Sequence, residues 1–337
     1  MKEAAKVSGV KKIVRSKAFP LIILLLILIA LFTVIAVLND ARFFTKTTFF
    51  RILEDLAIPG FMTIGAGCLI VSGAIDLSQA TVGGLAAVVV AVGSAWWDLP
   101  WYVSAILAIA ITAAFGLCSA ILVNELKFQP FIATMAMSTI ANAAILLVQT
   151  QPNGMISGIV SFNNQALVNA VTYKVFGQIS ALALIIIVLF VIYGLMLAKS
   201  KFGRSLYLVG GNPNAARLAG VNSKGISYAL FINCSVLSGF GGLIYAFRTQ
   251  SGASWALTGY QFTGMTAAIL GGISFGGGAG GLGGAFVALL ILRTFGMGMT
   301  IGGAGPYLTN VLQGVLLLAA LSFDYYSLRK QQKRVGA

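Results

Sequence analysis

Long apolar runs broken only by short polar stretches dominate this sequence from Leu21 to Phe323. A helix needs about 20 mainly apolar residues to cross the hydrocarbon core of a bilayer, and runs of that order recur along the chain. They fall at 21–38, 56–74, 79–95, 102–123, 130–148, 179–198, 225–247, 261–276, 282–299 and 306–323. The reading is an all-α polytopic membrane protein of about ten transmembrane helices. Only 9% of the 337 residues are charged while 58% are apolar, too few charges to clothe a water-soluble surface. A disordered chain and a disulfide scaffold are excluded by the same balance.

The net charge of +14 could suggest a nucleic-acid binder, but the positions of the cations point to topology. Sixteen of the 22 Lys and Arg residues lie at Lys2–Lys17, at Lys127, within Lys199–Lys224, and at Arg329–Arg334. With ten crossings and a cytoplasmic N-terminus, all sixteen fall in the cytoplasm, as the positive-inside rule requires. Arg42, Lys46, Arg51, Lys174 and Arg248 then lie outside, and Arg293 falls within a span. The expected division is a cytoplasmic basic segment 1–19, a transmembrane domain 20–323 and a cytoplasmic tail 324–337. An outer loop at 149–178 and a cytoplasmic loop at 199–224 interrupt the domain. The first run follows a basic cluster, as in a signal peptide, but exceeds a typical leader core and lacks a clean small-x-small cleavage site. It reads as a retained helix. Trp96, Trp97, Trp101 and Tyr102 read as an outer interfacial belt, and Phe323, Tyr325 and Tyr326 as an inner one.

Catalytic chemistry finds little support. Histidine is absent, and Cys68, Cys118 and Cys234 sit in apolar runs without metal-ligand spacing, so they read as small buried hydrophobes. No catalytic, metal or cofactor-binding residue is assigned. No G-x-x-x-x-G-K-[ST] loop occurs, so work done with ATP would belong to another chain. Buried ionisable groups, which proton-driven carriers need, are almost missing from the spans.

The polar residues that remain suggest a passage for a small hydroxylated solute. Thr134, Ser138 and Asn142 recur every fourth residue along one face of the fifth span. Asp76, with Gln79, fits a capping box at the next helix start; a contact with solute is the alternative left open. Ser72, Asp76, Thr134, Ser138 and Asn142 are the candidate path, against the plainer reading of interhelical packing. The run Gly271–Gly284 carries Gly272, Gly276, Gly280 and Gly284 at the small-x-x-x-small spacing of closely packed membrane helices, and it reads as close packing, with a helix break within it left open. In the cytoplasmic stretch, Asn212 followed by Pro213 predicts a helix start and Gly220 its stop.

Four segments resemble the permease subunits of bacterial ribose-type and galactoside-type ATP-binding cassette sugar importers. They are Gly73–Ser78 (GAIDLS), Gln129–Thr134 (QPFIAT), Phe202–Val221 (FGRSLYLVGGNPNAARLAGV) and Ala267–Gly284 (AAILGGISFGGGAGGLGG). The resemblance implies a type II importer-like permease in the bacterial cytoplasmic membrane, both termini cytoplasmic, using no cofactor of its own. Implied partners are cytoplasmic ATPase subunits, a second permease copy, and an extracytoplasmic solute-binding protein delivering a sugar or similar small polar solute. Membrane lipid surrounds it, and nucleic acid has no part. Gly211, Asn212, Ala215, Ala216, Arg217 and Gly220 take the ATPase-coupling role by the same likeness. Relatives that carry branched-chain amino acids, nucleosides or a sugar-derived signal keep the solute open, and a secondary carrier is the remaining alternative.

Overall fold

A computed structural model describes residues 43–175 and 177–305, with scattered positions between 26 and 37 and between 307 and 322. The described chain is a helical bundle. A short helix α1 (Lys46–Glu54) meets α2 (Ala57–Val71) at a bend of 47°. They are followed by α3 (Gln79–Ala95), α4 (Trp101–Asn124) and α5 (Pro130–Val148). Five described helices are long and apolar enough to cross a membrane, or six when α1 and α2 count as one bent span. The expected spans 21–38 and 306–323, the terminal segments 1–19 and 324–337, and the inner aromatic belt lie largely or wholly outside the described residues.

Helix α3 forms the centre of the bundle, with 14 of its 17 residues buried. It packs against α4, α5 and the long helix α10 (Ser223–Thr249). Small residues allow this. A Cβ on Gly83 would stand 2.7 Å from the Ser238 carbonyl oxygen of α10, so the two backbones touch directly. Helix α4 turns the pattern of a soluble protein inside out. Its buried stripe is Ser104, Ala108, Thr112, Gly116, Ser119 and Ala120, whereas Ile106 is 69% exposed. Small residues face the neighbouring helices and large apolar ones face outward, as packing in lipid favours. Cys68 and Cys234 are buried as expected, but Cys118 lies on the outward face of α4.

Residues 149–178 are not an unstructured loop. They hold a strand β1 (Ile159–Ser161), a helix α6 (Gln165–Val171) and the strand β2 (Lys174–Val175), which pairs with β3 (Ile179–Ser180). Beyond α10, β4 (Ser251–Ala253) pairs antiparallel with β1, placing Val160 opposite Gly252. Gln149 is fully buried beneath this pairing, and its Nε2 donates to the carbonyls of Gly158 and Gly252 at 3.3 and 3.4 Å.

At the opposite end, α7 (Ala181–Lys199) leads into α8 (Lys201–Gly211) and α9 (Pro213–Leu218). There Glu125, just past α4, pairs with Lys224 at 2.8 Å. Both side chains are exposed, and the Lys224 ammonium holds the Glu125 carboxyl below the usual carboxylate range.

The run expected as a span at 261–276 is only an 11-residue helix, α11 (Tyr260–Leu270). It ends at Gly271, and Gly272, Gly277, Gly278 and Gly280 have positive φ, a conformation that no continuous helix accepts. The regular glycine spacing therefore builds a loop instead of a helix face. The chain becomes helical again only in α12 (Leu282–Ile301).

Candidate functional site

The break between α2 and α3 and the start of α3 bury three polar side chains close together, Asp76, Ser78 and Gln79. Asp76 is 2% exposed, and its Oδ1 accepts from the Ser78 backbone N–H at 2.8 Å and the Ser78 hydroxyl at 2.6 Å. This closes a local turn ahead of the helix. The expected capping box does not form: Ser78 is the N-cap, and the Gln79 amide donates sideways to the Cys234 sulfur of α10. A glutamine at the first helical position has a better partner across the interface than behind it. Asp76 Oδ2 has no hydrogen-bond partner among the described residues, although the thiol of Cys234 lies near enough to interact with the carboxyl.

Thr134 joins α5 to this break. Fully buried, it donates from its hydroxyl to Pro130 O at 2.9 Å and accepts the Leu77 N–H at 3.1 Å. Removing the hydroxyl leaves the Leu77 N–H unpaired, at a cost of about 1–3 kcal/mol. Thr134→Val is expected to lower the unfolding midpoint of the purified protein, and Thr134→Ser to retain it. Equal stability of the two variants in a thermal unfolding assay would show that the hydroxyl does not hold the break.

One turn further along α5, Ser138 shares a hydrogen bond of 2.7 Å with Thr81 of α3. Both line a polar pocket of about 300 Å³ with Thr139, Asn142, Thr258 and Gln261. Hydroxyls and amides offer both donors and acceptors, and among these linings none carries a charge, which suits a neutral polyhydroxylated solute. The five path residues thus separate. Ser138 and Asn142 line the pocket, Asp76 and Thr134 shape the break beside it, and Ser72 bonds to Leu69 O at 2.6 Å within its own turn. Thr81, Thr258 and Gln261 were not among them. Thr258 and Gln261 come from a segment more than 100 residues away, so no helical periodicity on α5 could reveal them.

The segment after α7 behaves locally as its residues require. Asn212 caps α9, its Oδ1 accepting from Ala215 N at 3.0 Å, with Pro213 in the first turn and Gly220 at φ +73° past the end. Gly211, Asn212, Arg217 and Gly220 are exposed and Ala215 half-buried, but Ala216 is fully buried against the bundle. The apolar side chain that α9 presents outward is Leu218, 88% exposed. Arg217 makes no ion pair among the described residues.

Three glycine-bearing segments connect the two regions. The Gly278 N–H donates to Val71 O at 2.8 Å. Gly210, at the end of α8, lies against that same carbonyl, and a Cβ on Gly278 would stand 2.5 Å from Gly211 Cα. The loop 271–281, the end of α2 and the end of α8 therefore meet backbone to backbone. Tyr207 adds a hydroxyl bond to Gly280 O at 2.7 Å. The seven-residue break that carries Asp76, 72–78, begins directly at this junction.

Residues 48–321 match the family described as branched-chain amino acid transport system / permease component. Among similar proteins, the ribose import permease protein RbsC of Escherichia coli is 29% identical, across 88% of this chain and 92% of its own length. The fructose import permease protein FrcC of Rhizobium meliloti is 28% identical across 92% and 85%, respectively. The galactose/methyl galactoside import permease protein MglC of Haemophilus influenzae is 27% identical across 94% of both. No solved structure matches.

Proposed function

The chain belongs to the branched-chain amino acid transport system permease component family, and we propose that it is the membrane permease of an ATP-binding cassette importer for a sugar or similar small polar solute. The observation that carries this reading is the uncharged hydroxyl and amide lining of the pocket formed by Thr81, Ser138, Asn142, Thr258 and Gln261. A branched-chain amino acid would bring an ammonium and a carboxylate, for which these side chains offer no counter-charge. The names of the relatives, importers of ribose, fructose and galactose, point the same way.

In this reading the solute-binding protein docks at the end carrying 149–178, on the outside, and the ATPase meets Gly211, Asn212, Ala215, Arg217 and Gly220 on the cytoplasmic side. Ala216 seats α9 on the bundle. A second permease copy completes the passage, and both termini are cytoplasmic, as the partition of Lys and Arg favours. Ser138 and Asn142 contact solute, while Asp76 and Thr134 hold the break whose movement opens or closes the pocket.

Proteoliposomes containing the permease, its ATPase and the loaded binding protein are expected to accumulate sugar when ATP is supplied, and not when a pH step is imposed without ATPase. Accumulation driven by the pH step alone would overturn the reading in favour of a secondary carrier.

A further inference from the structure

Two cavities away from the polar pocket adjoin one another. The first, about 520 Å³, lies at the end carrying 149–178 and is lined by Lys46, Arg51, Glu54 and Lys174. The second, about 870 Å³, is apolar and runs between α1, α7 and α12, walled by Phe43, Phe49, Leu53, Ile187, Phe286 and Leu290. Lys46, Phe50 and Gln178 line both, so a single ligand can span them.

The charges in the first cavity are unequal. Glu54 is engaged by Arg248 at 3.1 Å, and the neighbouring Asp55 lies in the field of Arg293, Arg248 and Arg51. Lys46 and Lys174 make no ion pair among the described residues. Cations thus remain in excess at the mouth of an apolar groove. A free anion would leave the groove unused, and an acidic protein surface would cover the cations without entering it. A single amphiphile with an anionic head and a hydrocarbon tail fills both.

We propose that this is a binding site for one anionic phospholipid. Lys46, Arg51 and Lys174 hold its phosphate, and an acyl chain lies in the groove against Ile187, Phe286 and Leu290. Helix α1 is built for that position, because its lysine and arginine stems can lie along apolar surface while their heads reach the phosphate.

The full chain in nanodiscs of phosphatidylglycerol or of phosphatidylcholine tests the site, with lipid retained after detergent washing read by mass spectrometry. The wild type is expected to retain phosphatidylglycerol preferentially. That preference should fall about fivefold for each cation neutralised in Lys46→Gln, Arg51→Gln and Lys174→Gln, singly and together. Ile187→Trp, which fills the groove and leaves the cations, should reduce retention of either lipid. An unchanged preference in the triple variant would overturn the proposal, as would protection against heating by inorganic phosphate equal to that of the lipid. The single Lys174→Gln variant, on an exposed hairpin, gives the reading if the triple variant does not fold. Loss of binding-protein docking in these variants with lipid preference intact would assign the cations to a protein partner and sink the lipid site.

Discussion

Replacing Gly210 with valine is expected to abolish the folded protein or leave it inactive. Gly210 closes α8 directly against the Val71 carbonyl, so a side chain there would occupy the place of that oxygen. The oxygen cannot withdraw freely, because it accepts the Gly278 N–H at 2.8 Å. A Cβ on Gly210 would also stand 2.7 Å from that same nitrogen. All three groups belong to backbone, which lacks the rotamers by which an overpacked side chain usually escapes. Overpacking in a yielding core costs about 1–3 kcal/mol, so a junction that cannot yield should cost about 3 kcal/mol or more. Gly194 in α7 has no atom near its hypothetical Cβ, and Gly194→Ala should be neutral or gain up to about 1 kcal/mol. Size-exclusion profiles and unfolding midpoints of the two variants decide the matter. A Gly210→Val protein as stable as Gly194→Ala would remove the steric junction.

The second large effect is expected at Leu218. Its side chain projects from the end of α9 with 88% of its surface free, so Leu218→Asp should leave folding and membrane insertion unchanged. If α9 is the ATPase contact, the same change puts a charge where a partner would bury an apolar anchor. Losing such an anchor costs about 2 kcal/mol or more, roughly a thirtyfold weaker association. The expected result is a well-folded permease that no longer supports solute-stimulated ATP hydrolysis. Ala216→Glu provides the contrast. That side chain is fully buried, so a bulky acid should lift α9 from the bundle and lower stability as well as coupling, while Ala216→Ser should be mild. Normal ATP hydrolysis and uptake with Leu218→Asp would make α9 an interfacial turn with no partner.

The difference between Ala216 and Leu218 shows where reading a single chain stops. The start, cap and stop of α9 depend on residues within a few positions of one another. Asn212, Pro213 and Gly220 therefore announce them in any window of the sequence. Which face of a six-residue helix turns inward depends instead on what lies beneath it. With few residues and no strong periodicity, Ala216 looks as suited to a partner as to the bundle.

The same contrast runs through the whole molecule. The apolar runs declare themselves because lipid acts on each segment separately, demanding internal backbone hydrogen bonds and an apolar surface over a fixed length. The partition of the basic residues supports the proposed orientation by a similarly local rule. The run at 261–276 misleads because averaged hydropathy does not register backbone conformation, whereas Gly272 at positive φ follows the helix end at Leu270 and Gly277, Gly278 and Gly280 keep the chain in a loop beyond it. Asp76 looks like a cap from its spacing to Gln79, yet the nearby sulfur of Cys234, 155 residues along the chain from Gln79, captures the amide. The pocket is assembled from α3, α5 and the approach to α11, and the backbone junction from α2, α8 and the loop 271–281. Apolar spans and the cap of α9 follow from neighbours in sequence. Pocket, junction and the inward turn of Ala216 arise only when distant segments compete for the same space and the same hydrogen bonds.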